Sequence, residues 1–285
     1  MKLSMETYAV REKFGDIEAI RLIKEAGFDA IDFSFYWANE DVPLLGENYR
    51  EYAKTIRWAL DKNGLACNQA HAPFEFQYGE KMDASESHYL EIRRSVEAAS
   101  ILGAKSIVIH SVSVPANRDF EEYNLCYYKS FEPLCKKFGI QIAVENLFVH
   151  DKKCNSFFGR LGTPKQLCDF IVKLNSPWFV ACLDIGHAAI TGMAPEDFIL
   201  GMKNGLLKSL HIQDTDYLAD RHVLPFMGKL DWDAIISALK EVEYDGELTF
   251  EVFWFIKKLP KKLVPDSLTY AASVGRFLIS RFENG

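Results

Sequence analysis

Lys137-Phe138-Gly139-Ile140-Gln141-Ile142-Ala143-Val144-Glu145-Asn146 closes a helix-period segment on glycine and passes at once into a short β-rich run ending in a carboxylate. Glycine takes the left-handed position after a helix without a Cβ penalty, so the stretch predicts helix, stop, strand. The same order recurs on both sides of it. Asp16 to Ala26 reads as an amphipathic helix with Ile17, Ile20 and Ile23 inward, stops at Gly27 and feeds residues 28–33. Glu47 to Asn63 stops at Gly64 before residues 65–70, and Ser85 to Leu102 stops at Gly103 before residues 106–109. Asp119 to Phe138 is the helix that leads into the quoted run. Further on, Thr163-Pro164 supplies an N-cap and a Pro at the first helical position, opening a helix to about Leu174. Strands at Phe179–Leu183, Leu207–Ile212 and Leu248–Phe250 alternate with helical stretches at Pro195–Lys203, Asp231–Glu243 and Pro265–Phe282. With Lys2–Met5 as the opening strand, the count is eight strands and eight helices.

Apolar strands joined by helical crossovers mean a parallel sheet covered on its faces. Eight such units in 285 residues predict a single (β/α)8 TIM barrel spanning residues 1–285. No GxGxxG follows the first strand, so no nucleotide cofactor is expected. The connection from Leu147 to Gly162, with Phe148, Phe157 and Phe158 among polar residues, exceeds ordinary loop lengths and is a candidate substrate lid.

Composition narrows the function. Forty Asp and Glu against 33 Lys and Arg leave a net charge of −7, which disfavours nonspecific affinity for nucleic acid or an anionic membrane. The six cysteines form no CxxC pair and read as reduced, mostly buried thiols. The N-terminal residues carry no apolar stretch like a signal peptide, and no run is long enough to span a bilayer. The expectation is a soluble cytoplasmic protein, with a homo-oligomer possible.

A barrel of this kind works at the C-terminal ends of its strands. Those ends carry His71, His110, Glu145-Asn146, Asp184-Ile185-Gly186-His187, His211 with Gln213 and Asp214, and Glu251. Asp220-Arg221-His222 lies in the loop beyond His211, so five of the seven histidines map to one face. Each residue alone has an ordinary explanation: Asp184 as a helix cap, His211 as a bonded core imidazole, Glu145 as a strand end in solvent. Together, Glu145, Asp184 and Glu251 would bring three negative charges into a partly desolvated space, where one must be protonated or a cation must sit. One divalent metal held by Glu145, Asp184, His211 and Glu251 resolves the conflict, and Mn²⁺, Zn²⁺, Co²⁺ and Mg²⁺ all suit mixed carboxylate and imidazole ligands. His71, His110, His187 and His222 then support those ligands, contact substrate, or bind further ions.

The segments Ala143-Val144-Glu145-Asn146, Leu183-Asp184-Ile185-Gly186-His187, Leu210-His211-Ile212-Gln213-Asp214, Asp220-Arg221-His222 and Thr249-Phe250-Glu251-Val252 resemble the xylose-isomerase-like TIM-barrel superfamily. That superfamily includes sugar and sugar phosphate isomerases and epimerases, inosose-processing enzymes and endonuclease IV. The resemblance runs from the first strand to the last. It implies one catalytic metal on Glu145, Asp184, His211 and Glu251, with Glu145 and Glu251 as proton-transfer groups flanking the substrate and His187 on a substrate oxygen. The implied substrate is a small carbohydrate, also contacted by His71, His110, Arg221, His222 and Trp37. Rings at the mouth, with Trp37, Phe74, Phe158 and Trp254 as candidates, would cover the C–H faces of a sugar.

One departure stands out. Pro225-Phe226-Met227-Gly228 replaces the Pro-Gly-x-Gly frequent in these isomerases, which weakens a backbone-amide anion pocket at that place. Arg160, Arg221 and Lys229 could still hold a phosphate, but the reading leans toward an unphosphorylated sugar or polyol-derived ketone. The alternative is an endonuclease IV-like zinc phosphodiesterase acting on abasic DNA, for which His71, His110, His187, Asp220 and His222 would complete the ligands of additional ions. The acidic balance and the lack of a basic, aromatic-interleaved loop set argue against a duplex. A non-catalytic sugar-binding barrel would need no metal.

Overall fold

The computed structural model describes residues 1–36, 46–74, 87–114, 117–202 and 205–284. Trp37 lies outside them. Eight parallel strands make the barrel: β1 (Leu3–Glu6), β2 (Ala30–Ser34), β3 (Ala66–His71), β4 (Ser106–Ile109), β5 (Gln141–Glu145), β8 (Phe179–Asp184), β9 (Leu207–His211) and β10 (Leu248–Phe250). Their order is β10-β1-β2-β3-β4-β5-β8-β9. The ring closes where Ile212 bridges Phe250: Ile212 N–H donates to the Thr249 carbonyl at 2.8 Å, and Glu251 N–H to the Ile212 carbonyl at 3.0 Å. The barrel read from the sequence is therefore the fold.

Helices α1 (Tyr8–Phe14) and α2 (Asp16–Glu25) follow β1; α3 (Tyr49–Asn63), α4 (Ser87–Leu102), α5 (Phe120–Phe138) and α6 (Pro164–Leu174) connect the strands up to β8. Then come α7 (Ile185–Ile190), α8 (Pro195–Gly201), α9 (Trp232–Glu241), α10 (Phe253–Lys257) and α11 (Val264–Asn284). The short α1, α7 and α10 exceed the expected eight helices. They are too brief to show a helical period in sequence, and all three follow strand ends at the mouth. The helix ends obey local chemistry. Asp119 caps α5 by accepting the Glu122 N–H at 2.7 Å, acids sit in its first turn and lysines in its last, and Gly139 ends it at φ 65°. Thr163 caps α6 through the Gln166 N–H at 3.2 Å. Ile17 was expected inward but is exposed, because the buried face of α2 is Ala19, Ile20, Leu22 and Ile23.

The connection after β5 is no open loop. Residues Leu147–Asp151 (β6) and Ser156–Arg160 (β7) pair antiparallel as a hairpin over the mouth. Phe148 meets Phe157 at 5.3 Å between ring centroids, and His150 stacks on Phe157 at 4.7 Å. The hairpin crosses its own base so tightly that a Cβ on Gly159 would lie 2.7 Å from the Gly162 Cα.

Strand side chains alternate between two environments. Ile107, Ile109, Ile142, Val144, Leu183 and Leu210 belong to the large apolar layer under the helices, while Val108, Ala143, Val180 and Cys182 form a separate small cluster. The lumen is otherwise polar: Ser106 Oγ meets Ser209 Oγ at 2.9 Å across the barrel, and Ser4 Oγ donates to Asn68 Oδ1 at 2.6 Å. Continuing the same alternation one step further carries Glu6, Asp32, Glu145, Asp184 and His211 to the top of that lumen. All six cysteines are unpaired, four of them buried. Among the described residues no helix is long and apolar enough to cross a membrane.

Candidate metal centre and its cavity

Parallel register brings the ends of β5, β8 and β9 to one level, with Glu145 beside Cys182 and Asp184 beside His211. Ligand atoms of Glu145, Asp184, His211 and Glu251, all buried, lie within 4.8 Å of one another. His211 Nδ1 is 2.9 Å from Glu145 Oε1 and 3.4 Å from Glu251 Oε2. Asp184 also caps α7, its Oδ1 accepting the His187 N–H at 2.6 Å, so the ordinary explanation and the ligand position coexist in one side chain. Asn146 locks the two strand ends together: its Oδ1 accepts the Asp184 N–H at 2.7 Å and its Nδ2 donates to the Asp184 carbonyl at 3.0 Å.

Two further groupings adjoin the first. His71 shares a 4.8 Å circle with Glu145 and His211, and His187, Asp220 and His222 form another. His187 Nδ1 faces the Asn146 carbonyl at 3.0 Å, His222 Nδ1 faces the Glu251 carbonyl at 2.9 Å, and both rings direct Nε2 toward Asp220 Oδ2, at 3.7 and 2.8 Å. His222 holds this position at φ 42°, a left-handed backbone uncommon for a side chain of its size. Gln213 ties the groups, its amide donating to Asp220 Oδ1 at 2.8 Å and Asp184 Oδ2 at 3.1 Å. A Cβ on Gly186 would strike that amide at 2.5 Å, which accounts for the glycine beside Asp184.

The electrostatics are those of a buried anionic cluster balanced by imidazoles. Burial opposes charge on Glu145, yet His211 and His110 outweigh it and hold the carboxyl well below its usual range. Burial likewise opposes Glu251, and His211 and His222 keep it lowered. Burial, with repulsion from Glu251, Asp220 and Glu145 and partial relief from His187, lifts Asp184 to about 7. Burial works against protonation of both rings, but Cys182, Glu251 and Glu145 raise His211, and Asp184 and Asp220 raise His187, well above an ordinary imidazole. His222 rises to about 9 against its burial, chiefly through Asp220 and Glu251. The quartet thus carries two firm carboxylates and one half-protonated one around a single imidazolium. The donor set suits a hard or borderline divalent cation. Glu145 Oε2 strengthens the fit: it is buried without an aligned hydrogen-bond donor although His110 Nε2 lies 2.8 Å away.

A cavity of about 480 Å³ opens over this centre. Glu145, His110, His187, Asp220, His222 and Glu251 line it, with Phe74, Phe148 and Phe253 as its aromatic walls. His71, Asp184 and His211 lie beneath, outside the lining. Arg221, expected to touch substrate, instead forms an exposed ion pair with Asp216 at 2.9 Å and is outside the lining of this cavity. Phe158 and Trp254 are exposed and outside the lining, and Lys229 is exposed as well. Asp214 supports the loop beyond β9, taking the Phe226 N–H and the Trp232 indole N–H, each at 2.9 Å. Phe226 itself holds φ 72°, the backbone shape a glycine there would adopt without strain.

Sequence reading missed three buried groups around the centre. Asp32 Oδ2 lies 3.2 Å from His211 Nε2 and accepts from Gln69 Nε2 at 2.7 Å. Glu6 takes the Tyr8 N–H and the Ser34 hydroxyl, and burial pushes its carboxyl up to about 8. Tyr36 donates its hydroxyl to Glu251 Oε1 at 2.5 Å. The available signal was a carboxylate inside each of two apolar strands, Met5-Glu6 and Ile31-Asp32-Phe33.

Comparison with known proteins places this geometry. The family model described as xylose isomerase-like TIM barrel matches residues 20–274. An uncharacterized protein y4fM of Sinorhizobium fredii is 26% identical over 258 residues, 82% of this chain and 79% of its own. An uncharacterized protein MJ1311 of Methanocaldococcus jannaschii is 27% identical over 169 residues, and the match spans 55% of its length and 56% of this chain. Among solved structures, the IolI protein with a binding zinc atom superposes at a TM-score of 0.77 with 18% identity, covering 100% of both chains. A D-tagatose 3-epimerase-like protein gives 0.75 and 19%, covering 99% of this chain and 98% of its own. The 3-keto-D-glucoside 4-epimerase of E. coli gives 0.71 and 19%, covering 96% and 99% respectively.

Proposed function

The chain belongs to the xylose isomerase-like TIM-barrel family, and from that premise we propose that it is a divalent-metal-dependent isomerase or epimerase of a sugar, sugar phosphate or inosose-like ketone. The observation that carries the reading is the buried quartet of Glu145, Asp184, His211 and Glu251, with ligand atoms inside 4.8 Å at the floor of the cavity. The neighbours named above as epimerases support the substrate class. A cation on these four residues would supply Lewis acidity to carbonyl and hydroxyl oxygens as negative charge develops on them.

The residues divide the remaining work. Of the quartet, only Glu145 and Glu251 also line the cavity, and both are ionised at neutral pH. They are the groups placed to take a proton from carbon beside a carbonyl and return it. They stand on different strands, β5 and just beyond β10, so a substrate between them presents two faces. Tyr36 orients Glu251 through its short hydrogen bond. His187 and His110 line the cavity beside the position of the substrate hydroxyls, His222 is held by the Glu251 carbonyl and Asp220, and Phe74, Phe148 and Phe253 cover apolar faces and exclude water.

Purified protein should carry about one divalent ion per chain, and Glu251→Gln should abolish ketone turnover in metal-saturated protein that metal analysis shows still to hold the ion. Full turnover by that variant would overturn the proton-transfer role. A second reading is favoured by one observation, the two extra groupings built on His71 and on His187, Asp220 and His222. It is a multinuclear phosphodiesterase, and near three zinc ions per chain with cleavage of abasic DNA would establish it in place of the first.

A further inference from the structure

The cavity has two chemically different ends. Glu145, His187, Asp220, His222 and Glu251 line the side formed by β5, β8, β9 and β10, and His110, just after β4, reaches across to Glu145 at 2.8 Å. The other side is built from the segment after β4 and from the end of β7, and in the strand ring β4 stands opposite β10. There Ser111, Ser113 and Arg160 line the wall. Arg160 Nη1 donates to Ser113 Oγ at 2.9 Å, and its guanidinium carbon lies 5.6 Å from the Phe120 ring centroid.

Two features of this wall are unbalanced. Arg160 makes no ion pair among the described residues, although the guanidiniums of Arg11, Arg50 and Arg276 each meet a carboxylate. Partial burial lowers its pKa, as expected for a cation short of counter-charge. Ser111 is 7% exposed, and its hydroxyl oxygen is buried without a hydrogen-bond partner. A partly desolvated cation and an unsatisfied hydroxyl are each unfavourable alone, and an anionic group drawn to Arg160 supplies counter-charge to the first and an acceptor toward which the Ser111 hydroxyl can turn.

We propose that Arg160, Ser111 and Ser113 form a subsite for an anionic group of the substrate, a phosphate ester or a carboxylate, remote from the carbon that exchanges its proton. This rests on reading the cavity as a ketone site, and it narrows that reading to charged substrates. The quartet's end is fitted to carbonyl and hydroxyl oxygens and Arg160 to the charged group, so the two ends together fix which way round the substrate lies. The subsite sits on the hairpin wall, away from the Phe226 loop whose missing glycine had pointed toward an uncharged substrate.

The test is calorimetric titration of the metal-loaded protein with inorganic phosphate and, separately, with acetate, in wild type, Arg160→Ala, Arg160→Lys and Ser111→Ala. A charge-assisted hydrogen bond implies a loss of about 10- to 100-fold in affinity for Arg160→Ala, with partial recovery in Arg160→Lys. The stronger of the two anions identifies the natural group. Binding that is equal in wild type and Arg160→Ala, as for an anion held only at the metal, overturns the subsite, and so does no binding at tens of millimolar. A parallel assay compares kcat/KM for a ketose and its phosphate or carboxylate. Preference for the charged partner that collapses in Arg160→Ala supports the proposal. Turnover of neutral ketoses alone would sink the subsite and leave the isomerase reading standing. Arg160-dependent anion binding without any ketone exchange would do the reverse.

Discussion

Raising the pH from 6 to 8 should tighten metal binding steeply, because the ligand set must shed protons before it can hold a cation. In the metal-free chain His211 keeps its proton through neutral pH, and Asp184, at about 7, keeps roughly half of one at pH 7. Glu145 and Glu251 are already carboxylates and contribute none. Binding one ion on the quartet therefore releases about 1.5 protons at pH 7, more toward pH 6 and nearer one at pH 8. The corresponding slope is about 30-fold in affinity per pH unit at pH 7, rising toward 100-fold at pH 6 and falling toward 10-fold at pH 8. Calorimetric titration with Zn²⁺ or Mn²⁺ in buffers of different ionisation enthalpy reads the proton count directly. Replacing Asp184 by Asn should cut the count toward one and weaken binding at every pH. Occupation of the His187, Asp220 and His222 grouping as well would add two further protons, since both imidazoles are charged in the free protein. Proton-neutral binding with an affinity flat across this range would refute the reasoning, because the ion would then be sitting elsewhere.

Glu6→Gln isolates a buried carboxyl that the site does not use. Its pKa of about 8 in the folded chain, against 4.5 ordinarily, means the folded state holds a proton the unfolded state lacks between those values. Wild-type stability therefore falls as pH rises from 4.5 through 8, by about 5 kcal/mol at most, and the glutamine variant escapes that loss. Denaturant curves on metal-free protein that stay parallel from pH 4.5 to 8.5 would disprove it. Asp32→Asn removes the carboxylate behind His211 and should weaken Zn²⁺ binding about 10- to 100-fold in competition with a chromophoric chelator, and unchanged affinity would dismiss Asp32 as a support. At Phe226, with φ 72°, glycine should be more stable than alanine by about 1 kcal/mol, the reverse of the usual order, as measured by urea denaturation.

The barrel was legible because two periodicities were written plainly: helices closed by Gly27, Gly64, Gly103 and Gly139, and β runs that followed at once. All four glycines do adopt positive φ. The quartet was legible because a charged residue at the end of an apolar strand has few reasons to be there. What escaped was set by three-dimensional register. Asp32 and Glu6 reach the top of the lumen by strand alternation, where a sequence reads only an apolar strand with a stray acid. The hairpin of β6 and β7 was read as a loop because its strands are five residues each and largely unburied, so no apolar face marks them. Arg221 and Arg160 look equivalent in sequence; the Asp216 ion pair removes the first from the mouth, and the hairpin delivers the second to it.

The central claim, proton transfer at carbon beside a carbonyl over a metal-dependent carboxylate pair, is tested most directly by proton NMR of ketones incubated with the protein in deuterated water. Metal-loaded protein should replace one C–H signal adjacent to the carbonyl in a ketose, an inosose or a phosphate of either, and chelation or Glu251→Gln should abolish the exchange. Retention of every C–H signal by metal-loaded protein across that panel would contradict the account.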